Sequence, residues 1–145
     1  MSITVCTGKL HRVRVTEAKL DYEGSITIDS ALMEAANIVP FQMLHVNSLS
    51  NAAHWETYAI PGKPGSGTIC LNGCPARLYH PGDEVIILSL EQMSRAEAEH
   101  AEHRVVYVDA KNRPVRTEIK KPPRCGAAMP LPEGTGLIGD KVHLP

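Results

Sequence analysis

Apolar and polar residues alternate along most of this chain, which is the pattern of half-buried β-strands. The longest alternating stretch covers residues 3–15, and a shorter one follows at 25–28. The same pattern predicts further strands over residues 44–49, 55–60, 68–72, 84–90 and 105–108. A turn at residues 80–83, His-Pro-Gly-Asp, precedes the strand over 84–90. Many strands with few helices predict a mainly β fold, and we expect a closed barrel.

Two short stretches favour helices instead. Asp29 can cap a helix that runs through Ala36, because an aspartate side chain accepts hydrogen bonds from the first backbone amides. Ser94 and Glu97 have capping-box spacing at the start of a second helix. On that helix, His100 and His103 would share a face, which is compatible with a metal ion. The charged residues around them favour a solvated surface, so we expect no metal site there.

Composition narrows the class of protein. With 145 residues, 15.8 kDa and 43% hydrophobic residues, the chain is long enough for one compact core. A net charge of −1 and a pI near 6.6 leave no basic field for nucleic acid. No apolar run approaches the roughly twenty residues of a membrane helix, and no signal peptide is evident, so we expect a cytoplasmic protein. We therefore expect the four cysteines to be reduced thiols.

The dipeptide Gly24-Ser25 offers a specific chemistry. A serine hydroxyl can attack the carbonyl of a preceding glycine, where the backbone bends easily. The N-to-O acyl shift gives an ester, whose β-elimination and hydrolysis would leave a pyruvoyl group at position 25. Such a ketone forms a Schiff base with an amine and acts as an electron sink. Gly-Ser is also a common turn dipeptide, so the dipeptide alone leaves both interpretations open.

Several sequence blocks stand in order and without an obvious gap in the first half of the chain. The blocks are Gly8-Lys9-Leu10-His11-Arg12-Val13, Leu20-Asp21-Tyr22-Glu23-Gly24-Ser25, Ile28-Asp29, Ala35-Ala36, Thr57-Tyr58-Ala59-Ile60 and Asn72-Gly73. Together they resemble the aspartate 1-decarboxylase family, which comprises pyruvoyl enzymes that make β-alanine for pantothenate biosynthesis. The similarity covers roughly the first 117 residues and fades after Thr117.

The resemblance implies a fold, a cofactor and an assembly. The fold would be a double-psi β-barrel with a few short helices over residues 1–117, self-cleaved between Gly24 and Ser25. Ser25 would become the covalent pyruvoyl cofactor, and the zymogen would mature into a homotetramer with active sites between subunits. Residues 118–145, rich in proline and glycine, would form a mobile tail. Whether cleavage is unaided or requires a maturation factor stays open.

The resemblance also assigns roles to residues. Tyr58 would protonate the carbanion after carbon dioxide leaves, and Thr57 would assist cleavage and lie at the substrate. Further residues match positions that bind substrate or support the site: Lys9, His11, Tyr22, Asn72, Gly73, Cys74 and Pro75. From the residues alone, Tyr58 also suits an ordinary half-buried strand, and Lys9 with His11 also suits a solvated strand face.

Three positions depart from the family pattern. Family members commonly carry an arginine where this chain has His54, and Cys74 and Pro75 replace small residues. Histidine lacks the fixed charge and planar fork with which arginine holds a carboxylate. The resemblance implies a decarboxylase of L-aspartate. Because of these three departures, a decarboxylase of another small amino acid is the nearest alternative. An unprocessed barrel that serves as a binding or assembly module is a third hypothesis.

Overall fold

A computed structural model describes residues 1–124 and 126–130. It contains nine strands: β1 Ser2–Arg14, β2 Glu17–Lys19, β3 Ser25–Asp29, β4 Met43–Ser48, β5 His54–Gly62, β6 Ile69–Asn72, β7 Glu84–Ser94, β8 His103–Val108 and β9 Pro114–Lys120. The helices of the described residues are α1 Ser30–Ala36, α2 Arg95–Ala98 and a 3-10 turn at Cys74–Arg77. The predicted mainly β fold with short helices is confirmed.

The strands form one sheet in the order β2-β6-β3-β5-β4-β7-β1-β8-β9. Strands β1 and β2 are far apart in this order, but only two residues join them in the chain. The sheet must therefore curl round until β2 lies near the end of β1. Thr16, between those strands, donates its amide hydrogen to the Ile69 carbonyl of β6 over 2.8 Å. This contact closes the barrel, while β8 and β9 extend it on the outer side of β1.

The barrel interior is filled by alternate residues of its strands. Leu44 and Val46 of β4 are fully buried, whereas Met43, the first residue of β4, is exposed. In β5 the same alternation buries Thr57 and Ala59 and exposes Glu56 and Tyr58. The core is completed by α1, whose buried residues are Leu32, Met33 and Ala36. Alternation therefore places every second side chain in the packed interior and the side chains between them on the outer face of the barrel.

Both predicted helix caps are present. The Asp29 side chain accepts a hydrogen bond from the Ala31 amide over 2.8 Å, which starts α1. Ser94 and Glu97 form the reciprocal capping box of α2. The predicted turn at 80–83 is closed by a bond from the Asp83 amide to the His80 carbonyl over 3.0 Å.

The prediction that His100 and His103 lie on one face of the second helix is wrong. Helix α2 ends at Ala98, and His103 begins β8, where its Nδ1 lies 3.0 Å from the Cys6 carbonyl oxygen. The capping box marks the start of a helix but carries no information about its length, and here pairing of β8 with β1 ends it.

The chain beyond residue 117 was predicted to be a mobile tail. Strand β9 pairs with β8 through Lys120, so ordered pairing includes residues 118–120. Residues 121–124 and 126–130 carry no helix or strand, and residue 125 and residues 131–145 of the predicted tail lie outside the described residues. No helix among the described residues is long and apolar enough to cross a membrane.

Candidate active site

The Gly24-Ser25 bond lies where β3 begins. Ser25 is the first residue of β3 and pairs with Asn72, the last residue of β6. The serine is only 3% exposed and has a φ of 136°. A positive φ is unfavourable for a residue with a side chain and costs on the order of 1–3 kcal/mol. The strain is therefore located at the residue whose bond would be cut.

Asn72 holds the Ser25 hydroxyl in place. Its Nδ2 donates to Ser25 Oγ over 3.1 Å and to Thr27 Oγ1 over 3.2 Å. Its Oδ1 accepts the weak hydrogen bond of the Cys70 thiol, with 3.3 Å between the heavy atoms. Burial raises the pKa of Cys70, which keeps this donor protonated. The amide is thus satisfied at both ends and has one orientation.

Sequence reasoning missed Thr27 and Cys70. Residues two apart on a strand share a face, and Ser25 and Thr27 lie opposite Asn72 and Cys70 in the antiparallel register. The alternation of Ser-x-Thr and Cys-x-Asn was a visible signal. It acquires meaning only when β3 is known to pair with β6.

Gly73 allows the chain to pass close to the scissile bond. It has a φ of 92°, and a Cβ built on it would lie 3.2 Å from Gly24 Cα and 3.4 Å from the Tyr22 carbonyl oxygen. Gly24 itself has open space around the position of a Cβ and no left-handed φ. The bend expected at Gly24 is instead distributed between Ser25 and Gly73, because those two residues carry the positive φ angles.

Tyr58 also reaches this bond. Its hydroxyl donates to the Gly24 carbonyl oxygen over 3.3 Å, and the ring contacts Phe41 edge-on with centroids 5.9 Å apart. Thr57 is buried on the opposite face of β5, 5% exposed. The two neighbouring residues therefore meet different surroundings, Thr57 in the interior and Tyr58 at the outer face.

The described structure thus brings Tyr58 and Asn72, two residues singled out by the sequence blocks, to the Gly24-Ser25 bond. The family model for aspartate decarboxylase matches residues 1–115. The chain belongs to the aspartate decarboxylase family. Membership shows an amino-acid carboxy-lyase, and the closed barrel is the double-psi β-barrel that the resemblance implied.

Curated relatives of this family match most of the chain. The aspartate 1-decarboxylase of Leptospira biflexa is 50% identical over 115 residues, covering 79% of this chain and 98% of the relative. Those of Salinibacter ruber and Acetivibrio thermocellus are 47% and 52% identical, covering 81% and 78% of this chain and 80% and 90% of the relatives. The match therefore spans between 80% and 98% of the length of these relatives.

His54, the main departure from the family pattern, has partners within its own chain. Its Nδ1 lies 2.6 Å from Asn47 Oδ1, and its Nε2 lies 3.1 Å from Glu56 Oε2. The hydrogen bond to His54, with the nearby His45 ring, lowers the pKa of Glu56. Both ring nitrogens are engaged, so His54 contacts a substrate carboxylate only by giving up one of these bonds.

The loop after Asn72, which the resemblance assigns to substrate binding, continues into the 3-10 turn. Pro75 is buried near the start of that turn, and Cys74 is exposed. The Gly73 amide donates to the Lys19 carbonyl over 2.8 Å, which ties the loop to β2. Proline at 75 fits because the first amides of a helical turn have no partner within it.

Lys9 and His11 lie on β1, and their neighbours differ from those of Ser25. His11 contacts the Tyr107 ring edge-on at 5.4 Å, and its Nδ1 is buried without a hydrogen-bond partner among the described residues. Burial, with Lys9 and Arg12 nearby, lowers the pKa of His11. Tyr22 has an exposed side chain, 59% accessible. Among the described residues, no side-chain hydrogen bond joins Lys9, His11 or Tyr22 to Ser25, whose hydroxyl is bonded to Asn72.

Proposed function

We propose that this chain cleaves itself between Gly24 and Ser25 and then decarboxylates L-aspartate to β-alanine and carbon dioxide, in the cytoplasm. The observation that carries the proposal is the strained, buried Ser25 whose Oγ is held by Asn72 over 3.1 Å. Family membership supports the reaction class, and the curated relatives carry the name aspartate 1-decarboxylase.

Self-cleavage requires an accessible carbonyl and an oriented nucleophile. The Asn72 donor binds one lone pair of Ser25 Oγ, which limits rotation of the hydroxyl beside the Gly24 carbonyl. The Tyr58 hydroxyl on that carbonyl oxygen stabilises negative charge that develops there during attack. Breaking the bond relieves the unfavourable φ of Ser25, so strain in the uncut chain favours the reaction.

The residues around Ser25 also fit the pyruvoyl group. Ser25 is buried at the start of β3, and Asn72 Nδ2 offers a hydrogen-bond donor to an oxygen in the place of Oγ. The pyruvoyl group would supply a carbonyl that captures the substrate amine and withdraws electrons as carbon dioxide leaves. Tyr58 is 37% exposed, and its hydroxyl beside the Gly24-Ser25 bond can deliver a proton to substrate carbon.

The proposal includes a homotetramer. Exposed apolar side chains surround the outer face near Tyr58, namely Val39 at 58%, Phe41 at 71% and Met43 at 55%. A contiguous exposed apolar patch is typical of a surface that contacts another protein. A second copy of this chain is the occupant that the family resemblance favours.

Intact mass under denaturing conditions tests the cofactor. Two fragments that divide between Gly24 and Ser25, the larger with a pyruvoyl terminus, are expected, and Ser25→Ala should give one uncut chain without activity. Decarboxylation by Ser25→Ala would overturn the pyruvoyl mechanism. A single uncut mass for the unaltered protein, even with added cell extract as a source of a maturation factor, would favour a binding or assembly module.

A different small amino acid is the second candidate substrate. It is favoured by His54, whose ring nitrogens already contact Asn47 and Glu56, and by Cys74 and Pro75 in the substrate loop. The mature protein should be assayed with L-aspartate, L-glutamate and other small amino acids, with product amine and carbon dioxide both measured. We expect L-aspartate to have the highest kcat/KM; a tenfold preference for another amino acid would overturn that assignment.

A further inference from the structure

Two histidines and a glutamate, residue types that can act as metal ligands, lie close together on the outer face of β4 and β5. His45 lies directly opposite Glu56 in the antiparallel register, and Asn47 lies directly opposite His54. Directly opposed residues, and residues two apart on one strand, project from the same face. The ligand atoms of His45, His54 and Glu56, hereafter the β4–β5 cluster, all lie within 4.8 Å of one another.

The distances within the β4–β5 cluster suit one small ion. His54 Nε2 lies 3.1 Å from Glu56 Oε2, and His45 Nε2 lies 3.7 Å from Glu56 Oε1. In a tetrahedral zinc site with bonds of about 2.0–2.1 Å, neighbouring ligand atoms are about 3.3–3.4 Å apart. The two observed distances fall on either side of that value, with each histidine facing a different oxygen of the Glu56 carboxylate. Rotation of the carboxylate and of the imidazoles is therefore needed to bring three ligand atoms, which already lie within 4.8 Å of one another, around one ion.

Asn47 fixes the orientation of the His54 ring by a hydrogen bond to its other nitrogen. Its Oδ1 lies 2.6 Å from His54 Nδ1 and can only accept, so the Nδ1 hydrogen donates to it. This directs Nε2 toward Glu56. A hydrogen bond from the second ring nitrogen to a carbonyl oxygen is the usual support of a histidine that binds metal. His54 is therefore already held in the orientation that a metal ligand requires.

The chemistry of the ligands selects the ion. Two imidazoles with one carboxylate suit zinc and neighbouring divalent transition metals, whereas magnesium and calcium prefer oxygen ligands. The side chains of His45, His54 and Glu56 are 31%, 47% and 56% exposed. An ion bound there would have three protein ligands and a fourth position open to water.

We propose that His45, His54 and Glu56 bind one divalent transition-metal ion of the zinc class, with Asn47 as the positioning residue. The site contains His54, the position that the resemblance assigns to a substrate carboxylate, and Tyr58 follows Glu56 by two residues on the same face of β5. Two residues span about 7 Å along a strand, so the proposed ion would lie near that tyrosine.

Metal titration of tag-free protein tests the proposal. Zn²⁺ binding is measured by competition with a chromophoric chelator, and Co²⁺ binding by the visible absorption of a tetrahedral complex. We expect one ion per chain, bound with micromolar or tighter affinity, and at least tenfold weaker binding in each of His45→Gln, His54→Gln and Glu56→Gln. Asn47→Ala is expected to weaken binding less, by about tenfold at most, because it removes support rather than a ligand.

His100→Gln is the matched control, because His100 is an exposed histidine outside the cluster. Circular dichroism should show that every variant is folded; the substitutions lie at exposed or half-buried positions and leave the core intact. The titrations are repeated on Ser25→Ala protein, so that failure of self-cleavage does not affect the result. No stoichiometric binding by the unaltered protein, or equal loss in His100→Gln, would overturn the proposal.

Discussion

Ser25 and Asn72 show how two residues distant in sequence form a reactive pair. Ser25 has a φ that few residues with a side chain adopt, and Asn72 gives its hydroxyl a fixed partner over 3.1 Å. The Asn72 amide is in turn oriented by Cys70 on the same strand. Because each group is held by its neighbour, a change at Asn72 or Cys70 alters the geometry of the serine without touching it.

Tyr58→Phe separates the two reactions that we propose. Self-cleavage should become slower but still occur, because the variant loses the Tyr58 donor to the Gly24 carbonyl while Asn72 still orients the serine hydroxyl. Decarboxylation should fall by about 10²–10⁴-fold, the usual contribution of a general acid. Intact mass reports cleavage, and product formation by the fully cleaved fraction reports catalysis. Unchanged turnover would show that Tyr58 is not the proton donor.

Gly73→Ala tests the close approach beside the scissile bond. An alanine there must adopt a φ of 92° with its Cβ 3.2 Å from Gly24 Cα, so we expect a loss of about 1–2 kcal/mol in the free energy of unfolding. Gly24→Ala is the matched control, because its Cβ meets open space at an ordinary φ. It should change stability by less than about 0.5 kcal/mol.

Both glycine variants are compared by urea unfolding in the Ser25→Ala background, where self-cleavage cannot contribute. Equal loss of stability in the two variants would show that crowding at Gly73 is not important.

At the scale of elements, Asp29 joins a helix to a distant loop. Its Oδ1 accepts from the Ala31 amide over 2.8 Å and from the Gly65 amide over 3.0 Å, and its Oδ2 accepts from the Gly67 amide over 2.8 Å. The side chain is 1% exposed. One carboxylate thus begins α1 and fixes the loop between β5 and β6, which leads into the Asn72 strand.

Asp29→Ala should destabilise the protein by about 2–4 kcal/mol, because three amides lose their acceptor and little water can reach them. Asp29→Asn should lose less, because one oxygen remains for the helix cap and the Gly65 amide. Thermal unfolding of both variants measures the difference. Equal stability of the alanine variant and the unaltered protein would contradict this role.

The long elements were predictable from local pattern. Strands β1 and β7 and helix α1 carry strong alternation or a cap, and the structure confirms them with shifted ends. Strand β2, strand β9 and the 3-10 turn were not predicted. Three-residue β2 exists because β6 pairs with it, and β9 exists because β8 pairs with it. Strands whose stability comes from a neighbour leave little signal in their own sequence.

At the scale of the whole molecule, Tyr79 ties the 3-10 turn region to the far side of the barrel. The side chain is fully buried, and its hydroxyl lies 3.0 Å from the Val46 carbonyl oxygen and 3.1 Å from that of Ala53. Burial raises the pKa of Tyr79 to about 12. Ionisation of this phenol is therefore coupled to global unfolding.

The stability of the protein should fall as pH rises above about 10. The unfolded tyrosine loses its proton near its ordinary pKa of about 10, whereas the folded one keeps it until about 12. Across this window the folded state binds more protons, so the free energy of unfolding decreases by roughly 1 kcal/mol per pH unit. Urea unfolding between pH 8 and 11 of the unaltered protein and of Tyr79→Phe tests this, as the variant should lack that component. An identical alkaline slope in both proteins would contradict the assignment.

The sequence by itself determined the mainly β class, the caps of both helices, the Gly24-Ser25 dipeptide and, through several ordered blocks, the family. These features are local or depend on residue identity, so a linear sequence contains them. Only the tertiary structure decided that Asn72 meets Ser25, that Tyr58 reaches the Gly24 carbonyl, and that His45 meets His54 and Glu56. Each of these depends on which strands lie side by side and in which register, and the packing of the whole barrel determines both.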